Sequence, residues 1–240
     1  MAFETRQRGY DVSVGRSAAE IDAGLRAYML SVYNYMASAL ALTGVVAMAV
    51  STSPTLMQAI FGTGLQWIVM LAPIGLVFFL SARINKMSFG AAQTTFWIYA
   101  ALMGLSLSSI FLVYTGESIA RTFFITAGTF GAMSLFGYTT KKDLSGWGSF
   151  LFMGLIGIII AMVVNIFLAS TMLQFIISAA GVLIFTGLTA YDTQRIKEEY
   201  HEQDDTATSG KKALFGALRL YLDFVNLFIM LLHFFGASRE

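Results

Sequence analysis

Apolar positions gather into seven long runs separated by short polar breaks: residues 27–50, 62–82, 91–113, 119–138, 147–169, 172–192 and 214–235. As helices rising 1.5 Å per residue, runs of this length cross the roughly 30 Å hydrocarbon layer of a bilayer. The pattern predicts an all-α integral membrane protein with seven transmembrane helices. The polar residues 1–26 carry Arg6, Arg8, Arg16 and Arg26 and predict a flexible, partly helical cytoplasmic tail, followed by a membrane domain over residues 27–240. The first apolar run is too long for a signal-peptide core and reads as a retained helix. Only about three residues, 169–171, separate the fifth and sixth runs, which predicts a tight turn between antiparallel helices. Residues 193–213 form the one long connection. It mixes Glu198, Glu199, Glu202, Asp204 and Asp205 with basic residues and reads as a solvated cytoplasmic face rather than a cation-binding loop.

The last run breaks its own pattern. LFGALRLYLDFVNLFIMLLHFF is apolar on every helical face, yet Asp223 lies near its middle, with Arg219 one turn before and Asn226 one turn after. A carboxylate at that depth costs several kcal/mol unless it meets protein, water or an opposite charge. This helix is therefore expected to be enclosed by the others.

Composition narrows the function. The chain is 57% hydrophobic and 12% charged, with net charge +1, which argues against nucleic-acid binding. It has no Cys, hence no disulfide, thiolate metal site or redox couple. Under alternating topology, 13 Lys and Arg fall on the side of the N-terminus and 2, Arg121 and Arg239, on the other. That asymmetry places the N-terminus in the cytoplasm and the C-terminus outside.

The same alternation brings three charges into the cytoplasmic half of the membrane. Arg83 ends the second run and Asp192 ends the sixth, while Asp223 is reached roughly 13 Å into the seventh. Two close carboxylates cannot both ionise cheaply, so they share a proton and titrate as a pair. Such a pair can sense pH, relay protons or offer oxygens to a hard cation such as Ca²⁺. Plainer roles compete for each residue: an i−4 ion pair of Asp223 with Arg219, a solvated helix end for Asp192, and a headgroup anchor for Arg83. Asn34, Asn165 and Asn226 are expected to hydrogen-bond between helices, and His233 to be interfacial. Trp67, Trp97 and Trp147 are expected to be interface anchors. The pairs Gly128 with Gly131 and Gly154 with Gly157 are expected to allow close helix packing.

Enzymatic chemistry finds no support. All six lysines lie in loops or at their margins, so no retinal Schiff base is expected. Gly104-Leu105-Ser106-Leu107 lacks the second Gly of a rhomboid-type serine protease, and neither HExxH nor a Walker A loop occurs. The chain is expected not to be an enzyme and to need no cofactor.

Arg83 in SARINKMS, the run SLFGYTTKKDLSGWGSFL, GLTAYD ending at Asp192, and LYLDFVNL around Asp223 resemble the transmembrane Bax inhibitor motif family, above all its bacterial members. The resemblance covers nearly the whole chain from the first run onward. It implies a seventh helix wrapped by two three-helix layers. It implies that Asp192 and Asp223 form a proton-sensitive pair on an ion pathway and that Arg83 latches the closed state; Arg219 and Asn226, one turn either side of Asp223, are candidate supporting polar residues. It also implies a pH-sensitive calcium leak channel in a bacterial inner membrane, for which Asp192 and Asp223 are the candidate Ca²⁺-binding carboxylates. The alternative is a regulatory membrane protein that binds and modulates another membrane protein or a protease. The long acidic connection before the last run departs from the short loop of some members.

Overall fold

The computed structural model describes residues 18–237. Its helices are α1 (Ala18–Ser51), α2 (Pro54–Phe61), α3 (Leu65–Arg83), α4 (Phe89–Leu107), α5 (Ile110–Val113), α6 (Gly116–Thr139), α7 (Ser145–Leu168), α8 (Thr171–Glu198) and α9 (Thr206–Phe235), with a 3-10 turn at Ile84–Lys86. Among the described residues there is no β-strand. Seven stretches are long and apolar enough to cross a membrane, and they match the seven predicted runs one to one: α1 from Asp22, α3, α4 through α5, α6, α7, α8 and α9.

Helix α1 begins at Ala18, so part of the tail is helical as expected, while Arg6, Arg8 and Arg16 lie outside the described residues. One boundary differs from the expectation. The expected long connection 193–213 is mostly helix, because α8 runs on to Glu198 and α9 starts at Thr206. The charged residues there are good helix formers. Hydropathy reports where the apolar run ends, not where the helix ends. Asp205 starts α9 by accepting the Thr208 N–H at 3.2 Å. Hydrogen bonds from Thr208 hold the Asp205 carboxyl below its ordinary range.

Other helix ends follow the same capping logic, in which a side-chain oxygen satisfies an orphan N–H. Ser53, Ser88, Thr115 and Ser170 cap α2, α4, α6 and α8. The tight α7–α8 turn is closed by Ala169 in the left-handed region, φ 47°. Asn165 fastens it: its Oδ1 accepts the Ser170 N–H at 3.0 Å, and its Nδ2 donates to Gln174 Oε1 at 3.3 Å across the helix pair.

Helix α9 is the core. Of its apolar window 72% is buried, against 11–28% in the other six spans. It packs on α8, α1, α6 and α4, while α3 rests on α4 and α7 on α8. Enclosure is what makes a carboxylate in mid-helix tolerable, since it faces protein and a cavity instead of lipid.

Of the glycines expected at close helix approaches, one is found there. Gly128, Gly131 and Gly157 face open space, and only Gly154 of that set meets a neighbour, the Ile184 side chain. The tight crossing is at Gly137, whose hydrogen faces the backbone of Ala190 on α8. A second is at Gly148, where an added Cβ would stand 2.6 Å from the Tyr191 ring. The GxxG spacing reports small residues but not which face they occupy. Of the three Trp, Trp67 and Trp147 are exposed, as anchors should be. Trp97 instead packs inward against Tyr35 and Phe96, with ring centroids 6.3 and 5.4 Å away.

Candidate functional site

The site grows from the α8–α9 pair. Asp223 is 5% exposed, and Asp192 is half-buried on the facing helix. Both carboxylates face one cavity, and Asp223 Oδ2 is buried without a hydrogen-bond partner among the described residues. Both line a cavity of about 660 Å³ together with Tyr191, Arg195, Arg219 and Asn226. Helix α7 supplies the opposite wall through Ser145, Gly148 and Ser149, and the bare backbone at Gly148 leaves room for the Tyr191 ring. The opposite side of α9 is neutral. There the Tyr221 hydroxyl meets Thr43 Oγ1 at 2.7 Å, and Thr43 in turn donates to the Ala100 carbonyl at 2.8 Å.

The cations are arranged differently from the expectation. Arg219 shares the face of Asp223 but makes no ion pair with it. Its Nη1 lies 2.7 Å from Glu199 Oε1, and its guanidinium covers the Phe215 ring at 4.6 Å. Arg195 donates to the Tyr191 hydroxyl at 2.8 Å and sits 3.8 Å from the same Glu199 oxygen. Arg83 ends α3, is exposed, and forms no ion pair among the described residues. The 3-10 turn that follows it, Ile84–Lys86, packs on α9. Asn226 lines the cavity, whereas Asn34 is exposed. His233 is exposed at the far end of α9, 3.3 Å from Gln174 Nε2.

Sequence reasoning missed four contributors: Tyr191, Gln194, Arg195 and Glu199. Gln194 anchors the α6–α7 connection to α8, with Oε1 accepting the Leu144 N–H and Nε2 donating to the Lys142 carbonyl, each at 2.8 Å. This clamp holds α7 against the cavity. The signal was present: Asp192, Arg195 and Glu199 recur at i, i+3 and i+7, one helical face, once the helix is carried past Asp192.

Chemically, two carboxylates offer few of the 6–8 oxygens that Ca²⁺ takes. Among the described residues no group of three or more His, Asp or Glu side chains is placed to hold a metal. Asp192, Asp223 and Asn226 line the cavity together.

Half of the residues, 50% over 220 positions, are identical to those of the inner membrane protein YbhL of Escherichia coli, covering 90% of this chain and 94% of that protein. The protein RP147 of Rickettsia prowazekii is 49% identical over 219 residues, 91% of this chain and 93% of its own. A Caulobacter vibrioides protein is 47% identical over 245 residues, 97% and 98% of the two chains. The sequence pattern of the family described as "Inhibitor of apoptosis-promoting Bax1" matches residues 25–240, and the chain is an integral membrane protein that belongs to this Bax inhibitor-1-like family.

Proposed function

We propose that this protein is a pH-responsive leak pathway for Ca²⁺ in a bacterial inner membrane, with Asp192 and Asp223 as its shared proton and cation site. One observation carries the reading: an almost fully buried Asp223 faces a second carboxylate in a cavity rimmed by two arginines. The ionised pair attracts cations, both those of the protein and those that pass. Protonation weakens that hold, so acid loosens the cytoplasmic end and opens the path, and raising the pH closes it. Purified protein in liposomes loaded with a Ca²⁺ indicator should show influx that rises as pH falls. Liposomes with no influx at any pH would leave the regulatory reading, a membrane protein that acts through a partner.

The charge asymmetry supports a cytoplasmic N-terminus and an external C-terminus. A reporter fused after Glu240 should be active only when it is one that works outside the membrane. Activity of a cytoplasm-dependent reporter there would reverse the assignment.

Arg83 is proposed to latch a closed conformation by swinging onto the pair. What supports this is the contact of the adjacent turn with α9, together with Pro73 inside α3, which removes a helical hydrogen bond and gives that peripheral helix a bending point. Arg83→Ala should raise Ca²⁺ leak at neutral pH with unchanged expression. Flux equal to wild type would make Arg83 a headgroup anchor.

A further inference from the structure

We propose that Arg195 is the charge-selecting residue at the mouth of the aspartate cavity, held there by Tyr191 and Glu199, where it limits how readily a cation enters from the side of the α8–α9 connection. The proposal rests on the reading that this cavity belongs to a cation pathway. The cavity of about 660 Å³ lined by Asp192, Asp223 and Asn226 adjoins a second one of about 260 Å³. Ser145, Tyr191 and Arg195 line both, so these three residues form the neck between them. The outer cavity is completed by Gln194, Glu198, Glu199 and His201, which lie in the polar end of α8 and in the connection. The inner one reaches Asn226, one turn beyond Asp223 on α9.

The neck sets the position of a single cation. Its other members, Ser145 on α7 and Tyr191 on α8, contribute hydroxyls. The Tyr191 ring lodges against the bare backbone of Gly148 on α7, where an added Cβ would stand 2.6 Å from it. Its hydroxyl accepts a hydrogen bond from Arg195 Nη1 at 2.8 Å. On the other side, Arg195 Nε lies 3.8 Å from Glu199 Oε1. Glu199 is held independently of Arg195, because Arg219 Nη1 meets the same oxygen at 2.7 Å. Two guanidinium groups thus share one carboxylate and leave one net positive charge, while Glu198 lines only the outer cavity. A positive charge in a passage lowers the local concentration of cations and raises that of anions. The Arg195 side chain is 55% exposed, so its field acts through water and slows cation entry severalfold without blocking it. Removing its charge leaves Glu199 paired with Arg219, so the end of α8 keeps its tie to α9.

The chain has no Cys, so one introduced thiol reports entry cleanly. The test uses purified full-length protein in lipid nanodiscs carrying Asn226→Cys at the inner end of the cavity. Its modification rates are measured with cationic, anionic and neutral methanethiosulfonates at low ionic strength. Arg195→Gln should raise the ratio of cationic to anionic rates about fivefold, since one unit charge about 8 Å away in water acts on the two probes in opposite directions. The neutral rate should stay within about twofold. Arg195→Glu should raise the ratio further, and Arg195→Lys should return it close to the wild-type value. Tyr191→Phe, which releases the guanidinium but keeps its charge, should give less than half the change of Arg195→Gln. At Thr63→Cys, on the exposed loop between α2 and α3, Arg195→Gln should leave the ratio in place. An unchanged ratio at residue 226, or an equal change at residue 63, overturns the proposal. So does a neutral probe accelerated as much as the cationic one, which would make Arg195 a steric plug. Should Asn226→Cys fold poorly, Ser149→Cys on the α7 wall replaces it, an exchange of one oxygen for sulfur. Labelling needs no transport. Altered ratios without Ca²⁺ flux in liposomes would sink the leak reading and leave Arg195 at the mouth, and flux with unaltered ratios would do the reverse.

Discussion

Asp192→Asn and Asp223→Asn should each flatten the pH dependence of Ca²⁺ flux, and the double variant should flatten it no further. The two carboxylates line one cavity, so either substitution removes half of the proposed proton site. Residues acting as one unit are non-additive, with interaction energies of about 0.5–3 kcal/mol. Asn keeps the size of Asp, so the cavity persists while the charge is lost. Stability gives an independent check. Were Asp223 half of a structural ion pair, neutralising it would strand a buried cation at a cost of about 3–5 kcal/mol. The cation one turn away is already paired with Glu199, so Asp223→Asn should leave the thermal midpoint in detergent unchanged or raised. Flux with wild-type pH dependence in both single variants would remove the pair from the mechanism, and strictly additive losses would mean two separate sites.

The seven spans were legible because a bilayer demands length and hydropathy together, and little else satisfies both. Asp223 was legible for the same reason, as the one acid deep in an apolar run. The partner of Arg219 was not. Periodicity along α9 offers Asp223, whereas the structure chooses Glu199, which lies 20 residues earlier across a chain reversal. Contacts made through a turn leave no mark in helical spacing. The end of α8 was hidden because hydropathy falls at Asp192 while the helix continues to Glu198. This also hid Arg195 and Glu199 from the reading of the site. Trp97 was misplaced because amphipathic rings suit both an interface and a packed aromatic cluster, and only the neighbours Tyr35 and Phe96 decide between them. The runs around Gly137 and Gly148 stood out by resemblance alone. Their physical reason is that both lie against the stretch of α8 that carries Asp192: Gly137 against Ala190, and Gly148 against Tyr191.

That crossing gives the largest expected effect on stability. Gly137→Ala should destabilise the protein, and Gly137→Val more so. A Cβ at Gly137 would collide with the carbonyl oxygen of Ala190 and come within 3.0 Å of its carbonyl carbon and Cα. These are backbone atoms and cannot rotate away, so α6 and α8 must separate. The same seam holds the bond between Ser134 Oγ and Thr193 Oγ1, at 3.1 Å, and Ser134 meets the Tyr33 hydroxyl at 2.7 Å. Forcing α6 and α8 apart stretches the Ser134–Thr193 bond. Overpacking of this kind costs about 1–3 kcal/mol. Gly131 lies six residues earlier on α6 and faces open space, so Gly131→Ala should change stability by less than about 0.5 kcal/mol. Thermal unfolding of the two alanine variants in the same detergent makes the comparison. Ala190 precedes Asp192 by two residues, so a displaced α8 also moves one carboxylate of the pair. Gly137→Ala should therefore shift the midpoint of the pH response, while Gly131→Ala leaves it in place. Equal unfolding temperatures for Gly137→Ala and wild type would mean that α6 and α8 do not meet at this point.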